Sequence, residues 1–363
     1  MSSKAVQTTC PQSTGPEILG VTSDVFVEHS GALGVPRIDA IAAYRAFYRE
    51  GRREGAWFAL EDMPMGTQEI EGETIKFTLR LGSGEEIRHE TESVLIPMQG
   101  RGGRKTRTLC VSSQIGCAMG CDFCETAQMG LIRNLSSAQI VAQWFAARHV
   151  VGEEVNNIVF MGMGEPMDNI EEVIGAIRVL TDHNGPSIAS SKITISTVGR
   201  IDGIRRLAKL VSEDGFHRLN LAISVNAPDD EVRNQLMPIN RAMNLEALQD
   251  ALLEFPLRGG SALLIEYVLI PEVNDSLEQC DRLCRWLEPL RCSLNVIPYN
   301  PRRDSPWSAP TETSVDAFVR RATENGQFTK RRGTKGRDVM AACGQLGNPE
   351  IRRQQRPGRE TAS

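Results

Sequence analysis

From Arg107 onward the chain repeats one arrangement: a short apolar run, a loop, then a stretch with apolar residues at helical spacing. The apolar runs are T-L-C-V-S (108–112), N-I-V-F-M (157–161), K-I-T-I-S (192–196), L-N-L-A-I-S-V (219–225), L-L-I-E-Y-V-L-I (263–270) and L-N-V-I-P (294–298). Amphipathic segments separate them at 136–151, 169–182, 200–211, 229–255 and 275–288. Short apolar runs bounded by turn residues read as buried strands, and the longer periodic segments as helices. Ser136 followed by Gln139 marks a capping-box start for the first helix. Strands alternating with helices predict an α/β fold with parallel pairing and right-handed crossovers. An open doubly wound sheet and a full or partial barrel fit this pattern equally. In either, chemistry gathers at the C-terminal ends of the strands.

Upstream the pattern differs. Residues 73–97 read as a β-hairpin: I-K-F-T-L-R-L alternates, L-G-S-G-E-E turns, and S-V-L-I-P returns. Residues 38–62 predict one or two helices, with apolar positions at Ile41, Tyr44, Phe47, Trp57 and Leu60. Residues 1–30 are polar and rich in Ser, Thr, Gly and Pro, and the first twenty read as loose. The expected organisation is a loose N-terminus and short helical accessory region (1–72), the hairpin (73–97), the barrel with a C-terminal cysteine segment (98–347), and a basic tail (348–363).

Composition narrows the setting. The 363 residues carry 41 Lys+Arg against 46 Asp+Glu, a net charge of −5, with 40% hydrophobic residues. That balance excludes wholesale disorder. No stretch approaches the ~18 apolar residues of a membrane span, and M-S-S-K-A-V-Q-T-T-C-P-Q lacks the apolar core of a secretory signal. The expectation is a cytoplasmic protein with no membrane partner. There nine cysteines stay reduced and serve as metal ligands, catalytic groups or core. Three acid-free windows concentrate positive charge: Arg101, Arg104, Lys105 and Arg107; Lys330, Arg331, Arg332, Lys335 and Arg337; Arg352, Arg353, Arg356 and Arg359. They suit a polyanion or three solvated loops.

The densest chemical signal is G-C-A-M-G-C-D-F-C-E-T, which sets Cys117, Cys121 and Cys124 in one short loop after the first strand. A structural zinc site normally takes four ligands, and no second pair accompanies these three. Three thiolates suit a [4Fe–4S] cluster with one open iron. One unit later, M-G-M-G-E-P brings Gly164 and Glu165 to a strand end; glycine lets backbone approach a ligand, and the carboxylate can accept from an ammonium group. Ser196, Ser224-Val225-Asn226 and Asn300 stand at later strand ends and together suit a ribose and a carboxylate. Within T-L-C-V-S, Cys110 lies opposite the apolar Leu109/Val111 face and so looks into the barrel. Cys343, in D-V-M-A-A-C-G-Q-L-G, by itself reads as core. Cys280 and Cys284, four apart on a helix, read as core or surface.

The cysteine spacing resembles the radical S-adenosylmethionine (SAM) superfamily, which implies a partial (βα)6 barrel with a small N-terminal helical and hairpin extension. The ordered set C-V-S-S-Q-I-G-C-A-M-G-C-D-F-C, F-M-G-M-G-E-P, I-S-T-V-G, L-M-P-I-N, V-N-D-S-L-E, I-P-Y-N-P and A-A-C-G-Q-L resembles the radical SAM RNA adenine methyltransferases over residues 73–347. That family acts at adenine carbon 2 of 23S ribosomal RNA, and in some members also of tRNA. Its sister group, the chloramphenicol–florfenicol resistance methyltransferases, acts at carbon 8. G-E-P and I-P-Y-N-P lean to the first, I-S-T-V-G and L-M-P-I-N to the second. The resemblance implies Cys343 as the methyl carrier, Cys110 as its partner thiol and Glu92 as proton acceptor. It also implies two SAM molecules per turnover, a transient disulfide, and a low-potential donor such as flavodoxin. A monomer is expected. Asn226 stands where the family has histidine. A radical SAM enzyme acting on a small molecule and a non-catalytic iron–sulfur or zinc RNA-binding module are the readings from other classes.

Overall fold

The computed structural model describes residues 15, 17–53, 57–61, 63–82, 89–99, 103–333 and 335–348. Residues 1–14, residues 83–88 where the sequence predicts the hairpin turn, Arg101 and the tail beyond 348 lie outside them. Two helices come first, α1 (Ser23–Ala32) and α2 (Arg37–Glu50). The sequence reading placed no helix at α1, because Val25, Phe26 and Val27 are contiguous rather than periodic. Helix α2 stops at Gly51, in the left-handed region that ends helices, so Trp57 and Leu60 lie outside it. Phe47 of α2 stacks on Phe145 at 4.5 Å, docking the pair against the barrel.

The chain then enters the sheet through β1 (Met65–Glu71), β2 (Thr74–Leu81), β3 (His89–Gln99) and β4 (Lys105–Cys110), each antiparallel to its predecessor. The expected hairpin is β2–β3, and β1 extends it by a strand. A two-stranded ribbon follows, β5 (Gln114–Gly116) and β6 (Leu131–Asn134), flanking the cysteine loop. The expected alternation then runs through α3 (Ser137–His149), β7 (Asn157–Phe160), α4 (Ile170–Thr181), β8 (Ile193–Thr197), α5 (Ile201–Val211) and β9 (Asn220–Ser224). Ser136 and Gln139 form the capping box read from the sequence.

The single helix expected over 229–255 is instead two, α6 (Asp230–Leu236) and α7 (Leu245–Leu253). Pro238, lacking an N–H, opens a short tight turn between them. Asp229 and Asn244 cap the two starts. Next come β10 (Leu263–Leu269), α8 (Leu277–Leu287) and β11 (Cys292–Pro298), then two elements not foreseen, α9 (Glu312–Glu324) and β12 (Thr329–Arg331).

The large sheet runs β1-β2-β3-β4-β7-β8-β9-β10-β11-β12. From β4 through β12 every pairing is parallel. The six expected strands are therefore neighbours, and β12 adds a seventh inside a basic window. Ile158, Ile193, Ile195, Ile223, Ile265 and Val296 have no exposed surface, and neither do Ile177, Leu207, Leu248 and Leu283 of the surrounding helices. Each such side chain contributes roughly 1.5–3 kcal/mol by leaving water.

After β12 the chain crosses back toward the first strands. Glu71 of β1 accepts the N–H groups of Gly336 (3.2 Å) and Asp338 (2.7 Å), and Lys335 donates to the Pro97 carbonyl. Further on, Glu125 N–H donates to Gly344 O (2.7 Å) and Thr126 Oγ1 to Leu346 O (2.6 Å). The segment carrying Cys343 is thus pinned to β1–β3 on one side and to the cysteine loop on the other. Among the described residues no helix is long and apolar enough to cross a membrane.

Candidate active site

The cysteine loop is closed by its own backbone. Cys117 N–H donates to Gly130 O (2.9 Å), Cys124 N–H to Cys121 O (3.1 Å) and Asp122 N–H to Leu236 O (3.1 Å). Cys117 and Cys121 are buried, Cys124 half-buried, and none is in a disulfide. All three line one cavity of about 920 Å³.

Burial pushes all three thiols up, and the charges of Cys117 and Cys124 push Cys121 up further. Such thiols ionise when a cation sits among them. Among the described residues no three of His, Cys, Asp and Glu converge closely enough to share one metal ion. Zinc needs every sulfur about 2.3 Å from a single centre. In an iron–sulfur cluster each thiolate takes a different iron, and a set of three cysteines fits such a cluster.

Strand ends supply the rest of the cavity wall: Gly164 and Glu165 after β7, Ser196 on β8, Ser224 on β9 and Asn300 after β11. Gly164 has φ +102°, and a Cβ there would fall 2.6 Å from Gln114 Cβ, so only glycine fits. Gln114 Oε1 in turn accepts Glu165 N–H at 2.8 Å. The Glu165 carboxylate accepts Met167 N–H (3.0 Å) and Val198 N–H (2.9 Å). Burial outweighs these bonds and raises its pKa to about 7.

Val225 and Asn226 are not in the cavity wall. Val225 is packed in the core. Asn226 adopts φ +56°, a left-handed conformation asparagine tolerates. Its Oδ1 accepts Val268 N–H (2.8 Å), and its carbonyl accepts Asn274 Nδ2 (2.8 Å), so it ties the ends of β9 and β10 together.

A second cavity, about 1660 Å³, is lined by Cys110, Lys192, Arg332, Lys335 and Cys343 among others. The two cavities share Met161, Ile297, Asn300 and Cys343. Cys343 therefore stands where they meet. It is exposed rather than core, because its chain segment is a strap and not a packed element. Cys110 lies inside the second cavity wall as its strand face predicted. Burial raises the Cys110 thiol to about 12; Cys343 adds to the rise and Arg332 opposes it.

Glu92, on β3, lines neither cavity. Its Oε2 lies 3.1 Å from Lys76 Nζ and accepts Gly347 N–H at 3.3 Å, four residues past Cys343. Burial pushes this carboxyl up while Lys76 pulls it down. Cys280 and Cys284 are buried on α8, away from both cavities.

Two residues escaped the sequence reading. Glu266 lines the cysteine cavity, accepts Ser196 Oγ (3.2 Å) and pairs with Arg332 (2.8 Å). The signal was a lone acid within the apolar run L-L-I-E-Y. Arg332 had been counted only as a member of a basic window.

The radical SAM superfamily profile matches residues 111–284. A probable dual-specificity RNA methyltransferase RlmN 1 of Protochlamydia amoebophila is 45% identical over 291 residues, 80% of this chain and 78% of that protein. The dual-specificity RNA methyltransferase RlmN of Syntrophotalea carbinolica is 41% identical over 78% of this chain and 72% of its own. A crystal structure of a radical SAM methyltransferase from Sphaerobacter thermophilus superposes with TM-score 0.82 at 33% identity, covering 91% of this chain and 99% of that one. Identity of this extent, over a barrel with the cysteine loop at its strand ends, places the chain in the RlmN family of radical SAM RNA methyltransferases.

Proposed function

We propose that this chain methylates an adenine of RNA at carbon 2, in 23S ribosomal RNA with tRNA as a second target, and that Cys343 carries the methyl group. The observation that bears the reading is the position of Cys343 at the junction of the two cavities. From there one sulfur can face a cofactor beside the three cysteines and a base in the cavity of Cys110.

Adenine carbon 2 has almost no nucleophilicity, so polar methyl transfer fails there. Cys117, Cys121 and Cys124 would hold a [4Fe–4S] cluster, which would supply the one electron that opens radical chemistry on SAM. Glu165 accepts from the SAM ammonium group when ionised. Ser196, Ser224 and Asn300 hold its polar groups, and Gly164 lets it lie close to backbone. Cys343 accepts the methyl of one SAM molecule; a second would supply the radical that takes a hydrogen atom from that methyl, whose carbon then bonds to carbon 2 while the adduct gives up one electron. Glu92 stands behind the strap beside Gly347 and outside both cavities, so it would receive the ring proton by relay and not by direct contact. Cys110 then attacks the Cys343 sulfur: the S–S bond forms, the S–C bond to the RNA breaks, its electron pair passes to the base and is protonated to complete the methyl group, and an external reductant reopens the disulfide. A low-potential donor such as flavodoxin feeds the cluster, and the chain works as a cytoplasmic monomer. The target base has to be unpaired or flipped to enter.

Mass spectrometry of 23S ribosomal RNA and tRNA, incubated anaerobically with the reconstituted protein, tests the reading. 2-Methyladenosine in either RNA supports it. 8-Methyladenosine alone would move the reaction to carbon 8 with the same cysteine pair, and no methylated base at all would refute the substrate class.

A further inference from the structure

Arg233, on α6, has no exposed surface. Arginine is almost never fully buried unless an anion pairs with it. Here the oxygens it reaches are all neutral. Its Nε donates to Val225 O (3.1 Å), Nη1 to Asn240 Oδ1 (2.7 Å) and Met243 O (3.5 Å), and Nη2 to the Val198 and Ser224 carbonyls (2.5 and 3.4 Å). Val198 and Ser224 themselves line the cysteine cavity, so the guanidinium stands directly behind its wall.

The next turn of chain leads to the cysteines. Leu236 and Met237 pack against Cys117 and Cys121, and Leu236 O holds Asp122 N–H. Burial lowers the Arg233 pKa to about 10, with the charges of Cys121 and Asp230 opposing the fall, so it remains a cation at neutral pH. Across the wall, the Glu165 carboxylate takes the N–H of Val198, the residue whose carbonyl Arg233 takes. The L-M-P-I-N motif fits this frame: its Asn240 accepts from Arg233 and donates to Asp230 Oδ1 (2.8 Å) and Asn234 Oδ1 (2.9 Å).

We propose that Arg233 is the built-in countercharge of an iron–sulfur cluster on Cys117, Cys121 and Cys124, and that it raises the reduction potential of that cluster. The proposal rests on the cluster reading given above. Three thiolates make such a cluster net negative, and accepting an electron makes it more so. A fixed cation in a low-dielectric wall stabilises the reduced state more than the oxidised one. Arg233 touches no substrate; it is a positioning residue acting through charge. A purely structural pin between β8, β9 and α6 would leave the potential alone.

The test is a potentiometric titration of the reconstituted cluster followed by electron paramagnetic resonance, without RNA. Arg233→Gln should move the midpoint to more negative potential, and Arg233→Lys should restore much of the difference. Asp230→Asn removes the acid that offsets Arg233 yet keeps its acceptor oxygen, so it should move the midpoint the opposite way. Unchanged midpoints, or shifts of the same sign in Arg233→Gln and Asp230→Asn, would overturn the proposal. If Arg233→Gln does not fold, the sign of the Asp230→Asn shift decides. Wild-type protein that takes up no iron would instead overturn the cluster reading, and this proposal with it.

Discussion

Glu165 is held by two opposed influences: backbone N–H donors that favour its charge, and burial that disfavours it and wins. A carboxyl raised from 4.5 to about 7 stabilises the ligand-free fold at low pH. That contribution is lost as pH rises from 4.5 through 7, for a total of about 3 kcal/mol. Binding of an ammonium group reverses the sign, because it requires the ionised form. SAM affinity, measured by calorimetry between pH 6 and 8, should therefore fall below pH 7 by up to about tenfold per unit. Glu165→Gln should bind weakly at pH 8 and show little pH dependence. Gly164→Ala meets the Gln114 Cβ at 2.6 Å with φ at +102°, and its melting temperature should drop by an amount equivalent to about 1–3 kcal/mol. Gly164, Glu165 and the three loop cysteines were legible because each stands beside a strand end in a short motif. Asn226 was misplaced because spacing gives a strand end but not the direction of a side chain at positive φ. Glu266 and Arg332 were invisible as a pair, since they come from two separate strand regions and meet only in the fold.

At the scale of elements, the strap after β12 decides whether Cys343 reaches the junction. Glu71 holds its start through the N–H groups of Gly336 and Asp338. Hydrogen bonds to a charged acceptor are worth roughly 1.5–3 kcal/mol each. Glu71→Ala should thus speed amide exchange over residues 335–347 by about tenfold or more. RNA methylation should fall in parallel, while SAM cleavage at the cysteine loop persists. Exchange unchanged in this variant would show that the strap is held elsewhere. The strands β7 to β11 were readable because apolar runs such as N-I-V-F are what a sheet covered on both faces requires. Strand β12 was not, because T-K-R carries no apolar signal and pairs through backbone alone. The break between α6 and α7 was marked by Pro238, which the helical periodicity on either side concealed.

Across the whole molecule, charge has been partly spoken for by the fold. Lys105 pairs with Glu73, Arg107 with Glu153, Arg331 with Glu312 and Asp316, and Arg332 with Glu266. The basic windows read from the sequence are therefore less free than their composition implies, which a linear tally of charge cannot reveal. Lys192, at the second cavity, is better placed to grip a phosphate. Lys192→Gln should weaken RNA binding and reduce the slope of log K against log salt by ~0.7–0.9 for the lost contact. SAM cleavage without RNA should be unaffected. The proposed reaction needs one sulfur reached from two cavities, with Cys110 on the far side to release the product. The direct measurement is denaturing electrophoresis and peptide mass spectrometry of Cys110→Ala protein after anaerobic turnover with RNA and SAM. RNA should be joined covalently to Cys343 through one carbon, with no such adduct in the Cys110→Ala, Cys343→Ala double variant. Free methylated RNA released by Cys110→Ala at the wild-type rate would contradict it.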